Sequence, residues 1–219
     1  MTVVAPRLTL ERQLLRETPL VFACDEVGRG ALAGPVAVGA SVIDAAGARR
    51  RVPEGLRDSK LVAEARRPDV AARAADWVRA SAVGWASAAE IDEVGIMRAL
   101  GLAALRALAA VEELGFPAAS GVVLLDGNYD YITPAGGRGL NVRSVIKGDR
   151  DCASISAASV IAKVARDAEM TRLHDDHPVY EWGRNKGYAS PAHRDAIRAN
   201  GLSAYHRRSW AIADAPTLF

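Results

Sequence analysis

Short apolar runs and longer amphipathic stretches alternate along the chain. Residues 20–24 form an apolar run that leads through a glycine-rich connection into a second Val- and Ala-rich run at residues 35–43, which favours a β-hairpin. A continuous apolar run at residues 121–125 is typical of a central strand buried on both faces. A hairpin followed by strand and helix alternation predicts an α/β protein with a mixed sheet flanked by helices.

The remaining elements follow from the same patterns. Further strands are predicted at residues 81–87 and 141–146. Helices are predicted at residues 60–80, with a new segment beginning at Pro68, and at residues 88–114 and 154–173. The core-facing stripes of the last two helices are expected to contain Leu102, Leu105, Leu108, Ala109, Ala157, Ile161, Val164 and Ala168. Lys163 and Asp167, four residues apart, predict a surface ion pair.

Three units are expected along the 219 residues. Residues 1–18 are predicted to be a loosely ordered lead or a short helix without chemistry. Residues 19–175 carry the predicted sheet and its helices. Residues 176–219, which are more polar and aromatic, are predicted to be an extension with short helical material that packs on the core. A half-apolar composition is enough to bury a substantial core in one domain.

Charge and cysteine content narrow the class of protein. A net charge of +2 does not by itself indicate a nucleic-acid-binding protein, so any cationic surface must be local. The two cysteines, Cys24 and Cys152, predict free thiols and a cytoplasmic location. No uninterrupted apolar stretch reaches membrane-spanning length, so we expect no membrane contact. We expect a monomer.

Acidic residues stand where apolar runs give way to glycine or to a loop: Asp25, Glu26, Asp126 and Asp149. On their own, Asp25 and Glu26 are equally consistent with ordinary polar residues at a strand end. Successive strand residues point to opposite faces, so these two can share a site only if the strand ends or bends between them. Together the acids are candidates to converge at one rim of the sheet and to hold two divalent ions.

The nature of the donors selects the ion. Oxygen-only ligands suit Mg²⁺ or Mn²⁺, whereas zinc would require histidine or cysteine. His174 and His177 resemble half of a zinc motif but lack partners at standard spacing, so the histidines are expected to be surface or structural residues. The sequence has no Gly-x-Ser-x-Gly elbow and no Walker loop, which argues against acyl transfer and nucleotide hydrolysis.

Seven motifs in order along residues 20–210 resemble the type 2 ribonucleases H, and ribonuclease HII in particular. The opening motif is Asp25-Glu26-Val27-Gly28-Arg29-Gly30, followed by Ala33-Gly34-Pro35-Val36. The later motifs are Asp58-Ser59-Lys60-Leu61, Asp126-Gly127, Lys147-Gly148-Asp149, residues 156–163, Lys186-Gly187-Tyr188 and His206-Arg207. The resemblance implies a ribonuclease H-like fold, with Asp25, Glu26, Asp126 and Asp149 as catalytic metal ligands.

The resemblance also implies a substrate and its contacts. An RNA/DNA hybrid, or duplex DNA with embedded ribonucleotides, would be cut on the 5′ side of a ribonucleotide to leave a 3′-hydroxyl and a 5′-phosphate. The Gly28-Arg29-Gly30 loop would read the 2′-hydroxyl, because glycine lets the backbone approach a sugar closely. A side chain at Gly28 is expected to crowd that sugar. Tyr188 would stack on the sugar of the next deoxynucleotide, and Lys60, Lys186 and Arg207 would contact phosphates.

Some positions depart from the pattern of the family, and two other functions stay open. Leu61 and Asn185 replace a lysine and a histidine that the family often has, and the segment between Asp126 and Asp149 looks long. One alternative is a non-catalytic module that binds hybrids, although retention of all four acids argues against it. The other is a metal-dependent DNA nuclease or resolvase, which would have no use for the Gly28-Arg29-Gly30 loop.

Overall fold

The computed structural model describes residues 5–210. Its centre is a five-stranded sheet in the order β3-β2-β1-β4-β5. The strands are β1 (Leu20–Val27), β2 (Val36–Asp44), β3 (Ala80–Ala86), β4 (Gly121–Asp126) and β5 (Asn141–Val145). β1 pairs antiparallel with β2 and parallel with β4, so the sheet is mixed and the predicted hairpin is confirmed.

Helices cover both faces of the sheet. They are α1 (Thr9–Leu14), α2 (Arg67–Trp77), α3 (Ala88–Val94), α4 (Ile96–Glu113), α5 (Ile132–Ala135), α6 (Gly148–Asp151), α7 (Ala153–Asp176), α8 (Trp182–Asn185) and α9 (Pro191–Asn200). Alternate residues of β1 point to opposite faces: Phe22 and Cys24 pack with α4, whereas Val21 and Ala23 pack with α2 and α7. The sheet is therefore the middle layer of three, as the apolar run of β4 predicts.

The prediction of a single helix at residues 88–114 is wrong, because the structure has two helices there. They are separated at Gly95, whose φ of +78° lies in the left-handed region, and α4 starts immediately afterwards. The expected stripe is also displaced: Leu108 is buried, but Ala109 is exposed, and the small residues Ala103 and Ala107 face the sheet instead. Small residues are needed because Gly84 on β3 lies so close to α4 that a Cβ there would be 2.0 Å from the Ala103 carbonyl oxygen.

The first half of α7 is buried on nearly every side. Every residue from Ala153 to Val160 is buried, so the helix has no single core-facing stripe there. Farther along, Ala168 is exposed, which differs from the predicted stripe. The short, small side chains of this half let α7 lie directly on β1 and β2, where a Cβ at Gly39 would be 2.3 Å from the Ala158 carbonyl oxygen.

The aromatic C-terminal region packs on residues 32–33 and on the end of α7. Its helix α9 begins at Pro191 and is part of the short helical material that the sequence predicts, and Ser190 caps it. His193 and His206 are fully buried and are structural residues. The division of the chain at residues 18/19 and 175/176 stays a prediction, and its outermost parts, residues 1–4 and 211–219, lie outside the described residues.

The N-terminal segment is tied to the start of α7. Glu11 is buried, and its Oε1 accepts hydrogen bonds from Ser154 N–H and Oγ–H at 2.9 and 2.8 Å. Burial raises the pKa of Glu11. Cys24 and Cys152 are free, buried thiols, as predicted. Among the described helices none is both long and apolar enough to cross a membrane.

Candidate functional site

The first two acidic residues lie on the open side of β1. This strand pairs with β2 along its whole length, but with β4 only as far as Cys24. The expectation that the strand ends or bends between the two acids is wrong, because β1 continues through Val27. Asp25 follows the α7 face of the strand and Glu26 the α4 face, so their carboxylates reach the rim of the sheet from opposite sides.

Asp126 and Asp149 are joined directly. Asp126 is the last residue of β4, and its Oδ1 accepts a hydrogen bond from the Asp149 N–H at 3.0 Å. Asp149 lies in α6, and Ser156 Oγ–H on α7 donates to its carbonyl oxygen at 2.6 Å. The end of β4 and the start of α7 therefore hold these two acids in a fixed relation.

Burial and crowding raise the pKa of three of the four carboxyls. Burial is the main reason why the pKa of Asp25 lies well above its ordinary value, and the charges of Glu26 and Asp126 add to the effect. Burial likewise raises the pKa of Asp126 and that of Asp149. Ionising all of these groups together costs free energy, and a bound cation would remove that cost.

Lys60 supplies positive charge at the edge of the acids. It lies in a 3-10 turn, residues Ser59–Leu61, which Asp58 caps by accepting the Lys60 N–H at 2.9 Å. Its Nζ is 3.5 Å from Asp149 Oδ2 and 3.9 Å from Asp58 Oδ1. Burial lowers the pKa of Lys60, but the neighbouring carboxylates outweigh that effect and raise it. The exposed fraction of the side chain, 77%, leaves the ammonium accessible to a phosphate.

The acids share a rim without converging on one point. Within residues 5–210, no three His, Cys, Asp or Glu side chains are arranged so that they could hold a metal ion. Glu26 is instead engaged with Arg29 at 3.7 Å and with the Tyr131 hydroxyl at 3.3 Å. The donor set of crowded carboxylates fits a hard divalent cation in its chemistry, and side-chain rotation would be needed to bring the oxygens together.

A cleft of about 500 Å³ runs beside the acids. Its walls combine two of the four acids, the glycine loop and cationic residues: Asp25, Glu26, Val27, Gly28, Arg29, Gly30, Ser59, Lys60, Arg67, Lys163 and Tyr188. The loop makes the turn between β1 and β2, and Gly28 has a φ of +84°. Acids predicted to do chemistry and a loop predicted to read a sugar therefore line one cavity.

The three substrate contacts predicted in the C-terminal region, Tyr188, Lys186 and Arg207, lie in different environments. Tyr188 lines the cleft with an exposed fraction of 37%, so it is not a core residue. Lys186 Nζ donates to Thr171 Oγ1 and to the Gly183 carbonyl, so its ammonium is hydrogen-bonded within the protein. Arg207 is fully buried, and its guanidinium donates only to backbone carbonyls. The phosphate contact expected of Arg207 is therefore wrong.

Sequence reasoning missed two cationic residues in the cleft. Lys163 and Asp167 do pair, at 2.6 Å, but with 14% of each side chain exposed the pair is not on the surface. Arg67 joins it, with its NH1 3.5 Å from Asp167 Oδ2. The spacing of Lys163 and Asp167 on α7 was the available signal. To assign this pair to the cleft, one would have needed to know that α7 passes under the acids.

A three-layer fold whose mixed sheet carries carboxylates at the end of β1 and β4, beside a glycine turn, defines a nuclease of the ribonuclease H class. Solved structures share this fold: ribonuclease H2 from Pyrococcus horikoshii OT3 matches with a TM-score of 0.70 at 27% identity, covering 89% of this chain and 95% of that one. Bst-RNase HIII in complex with Mn²⁺ matches with a TM-score of 0.69 at 20% identity, over 89% of this chain and 68% of that one.

Sequence comparison narrows the class to a family. The family model described as Ribonuclease HII matches residues 23–213. Ribonuclease HII of Streptomyces avermitilis is 45% identical over 212 residues, which cover 96% of this chain and 85% of that protein. The chain belongs to the ribonuclease HII family. It is accordingly a hydrolase, an endonuclease that acts on RNA/DNA hybrids and depends on a divalent metal ion.

Proposed function

We propose that this ribonuclease cuts both the RNA strand of RNA/DNA hybrids and the 5′ side of single ribonucleotides embedded in duplex DNA. The products would carry a 3′-hydroxyl and a 5′-phosphate. The observation that carries the proposal is the cleft in which Asp25 and Glu26 adjoin the Gly28-Arg29-Gly30 loop. A group that reads one sugar lies there beside groups that can hold metal ions at its phosphate.

Asp25, Glu26, Asp126 and Asp149 are proposed to hold two divalent ions, Mg²⁺ or Mn²⁺. When bound, such ions supply a nucleophilic water and stabilise the leaving oxygen of an in-line displacement. The carboxylates would have to be ionised to bind them, and Lys60, 3.5 Å from Asp149 Oδ2, favours the ionised form. The 3.0 Å bond from the Asp149 N–H to Asp126 keeps one oxygen of Asp126 fixed and leaves the other as a ligand.

The substrate is proposed to lie along the cleft with the ribose at the glycine loop. Tyr188 would stack on the next sugar, and Lys60 would contact a phosphate, as would Lys163 and Arg67 once the duplex approaches their pair with Asp167. All of these contacts are to the sugars and phosphates of the duplex, so cleavage would depend on the 2′-hydroxyl and not on base sequence.

The test uses three duplexes of one sequence: all DNA, DNA with one ribonucleotide, and a continuous RNA/DNA hybrid. With Mg²⁺, we expect cleavage of the last two, cleavage 5′ of the lone ribonucleotide, and none of the all-DNA duplex. Binding of the hybrid without cleavage in Mg²⁺ and in Mn²⁺ would favour a non-catalytic module. Equal cleavage of the all-DNA duplex would favour a DNA nuclease or resolvase. Cleavage of the hybrid alone would restrict the function to hybrids.

A further inference from the structure

Two fully buried arginines lie behind the glycine loop. Arg166 is on α7 and Arg207 is near the end of the described chain, and the exposed fraction of each is 0%. Within residues 5–210 neither guanidinium pairs with a carboxylate: all of their hydrogen bonds go to backbone carbonyls. Burying two like charges without a paired carboxylate costs free energy. The residues that supply these carbonyls therefore indicate what the two arginines support.

Arg207 bonds to the glycine loop itself. Its NH1 donates to the Arg29 carbonyl at 2.7 Å, and its NH2 donates to the Gly28 carbonyl at 2.7 Å and to the Gly34 carbonyl at 3.2 Å. Within the described residues, the Arg29 and Gly30 amides have no backbone or side-chain acceptor. The loop therefore keeps the Gly28 and Arg29 carbonyls inside the protein and has these amide donors left for a ligand oxygen.

Arg166 joins the loop to Tyr188. Its guanidinium lies against Gly28, where an added Cβ would be only 1.9 Å from Arg166 Nε. The same guanidinium lies 5.5 Å from the centre of the Tyr188 ring and donates to the Lys186 carbonyl at 3.0 Å. One rigid, planar group thus touches both the loop and the aromatic residue.

We infer that Arg207 and Arg166 are positioning residues for substrate choice: Arg207 turns the loop so that amides face the cleft, and Arg166 fixes the separation between the loop and Tyr188. The inference rests on the proposed function, in which the loop reads a 2′-hydroxyl. A lysine at either position would keep the charge, but its single ammonium cannot span two carbonyls held by a planar fork. The donors would then lose their direction while the acids stay in place.

The test compares Arg207→Lys and Arg166→Lys with the wild type and with Arg50→Lys. Arg50 is a matched control because its NH1 also donates to two backbone carbonyls, those of Asp76 and Trp77, outside the cleft. Fluorescence anisotropy in EDTA, where no cleavage occurs, gives the Kd for a duplex with one ribonucleotide and for its all-DNA counterpart. The ratio of the two Kd values measures recognition of the sugar and is insensitive to a uniform loss of active protein.

In the wild type and in Arg50→Lys we expect tighter binding of the ribonucleotide duplex. In Arg207→Lys and Arg166→Lys that preference should fall about tenfold, the loss expected for a misaligned hydrogen bond in a buried site. Amide ¹H–¹⁵N signals of Arg29 and Gly30 should shift in the free Arg207→Lys protein but not in Arg50→Lys.

Each result decides between roles. A wild-type ratio in both folded lysine variants would overturn the inference, as would failure of both to fold, which would make the arginines structural. If one variant does not fold, the ratio in the other decides. A wild type that does not distinguish the two duplexes would instead count against the 2′-hydroxyl reading in the proposed function.

Discussion

Gly28 and Gly30 are two residues apart but face different constraints. Gly28 has a φ of +84°, and a Cβ there would collide with Arg166. The expectation that a side chain at Gly28 would crowd the sugar is therefore wrong, because the side chain would point into the protein. At Gly30, an added Cβ would meet no atom within 4 Å, so a substitution there tests the cleft and not the fold.

Gly30→Ala should fold like the wild type and lose ribonucleotide cleavage, because a methyl group on the loop would hold the sugar away from the amides. Gly28→Ala should instead lower the melting temperature, since it places a Cβ in a left-handed backbone conformation against a buried arginine. Thermal unfolding and single-turnover cleavage measure the two effects. Wild-type cleavage by Gly30→Ala would contradict close approach of the loop to the substrate.

Asp126→Asn should lower kcat at least ~100-fold while the fold is kept, because a bound metal ion supplies several kcal/mol of transition-state stabilisation. The amide oxygen of asparagine can still accept the Asp149 N–H, so the link between β4 and α6 survives. Because burial raises the pKa of Asp126, with the charge of Glu26 adding to the effect, removing the charge of Asp126 should leave the metal-free protein at least as stable as the wild type. Substantial activity in Mg²⁺ with an unchanged circular dichroism spectrum would contradict the role of Asp126.

Residue types that carry chemistry could be read from the sequence, but buried cations could not. The acids can be recognised in the sequence because each stands where an apolar run gives way to glycine or to a loop. Arg207 looks like any basic residue near a phosphate site, and its burial depends on carbonyls of residues 28, 29 and 34, far away along the chain. Local patterns contain no information about such a contact.

At the scale of elements, strands were predicted more closely than helices. Each of the five strands begins within one residue of its predicted start. In β1, β2 and β4 the reason is an apolar run, which leaves little choice of structure. The helices differ more. In α4, tight packing on Gly84 selects alanine at residues 103 and 107, and Leu102 and Leu105 are only partly buried, so large residues alone do not mark the buried face. Periodicity of large residues misleads where two elements are very close.

The C-terminal region should unfold more easily in acid because of its buried histidine pair. His193 Nδ1 is 2.8 Å from the Tyr188 carbonyl, so this nitrogen carries the proton and Nε2 accepts from Trp182 Nε1–H at 3.0 Å. His206 Nε2, 3.1 Å away, then donates to the same nitrogen, and its Nδ1 accepts the Ser203 N–H at 2.9 Å. Both rings are thus neutral: a proton on His193 Nε2 would face two donors, and a proton on His206 Nδ1 would face the Ser203 N–H.

Burial lowers the pKa of His206 to about 3, with the charges of His193 and His177 contributing, and burial also lowers that of His193. The unfolded chain takes up these protons below about pH 6.5, but the folded chain does not. The stabilisation is therefore complete above that pH and is lost as the pH falls towards 3, by about 1.4 kcal/mol per pH unit for each proton. Urea unfolding between pH 7.5 and 5 should show the decline. His206→Gln should flatten it, and His174→Gln, a control, should not; equal slopes in both would contradict the assignment.

At the scale of the whole molecule, a divalent ion should stabilise the fold. Raised pKa values of Asp25, Asp126 and Asp149 mean that ionising them opposes folding, a penalty absent below about pH 4 and present once the pH passes their folded pKa values. Mg²⁺ or Mn²⁺ should therefore raise the melting temperature by mass action, and more at pH 8 than at pH 5. The shift should shrink in Asp25→Asn. An identical shift in that variant would place the ions elsewhere.

The order of the chain has a consequence for protein synthesis. The loop at residues 28–34 is held by Arg207, and a β-bridge joins Ala33 to His206. The ribosome makes Gly28 of the loop 179 residues before Arg207, which supports it, so the nascent chain carries Asp25 and Glu26 long before it can orient the loop beside them. A nascent chain, close to messenger RNA, would thus carry acids beside a loop that cannot select its substrate until Arg207 has been made.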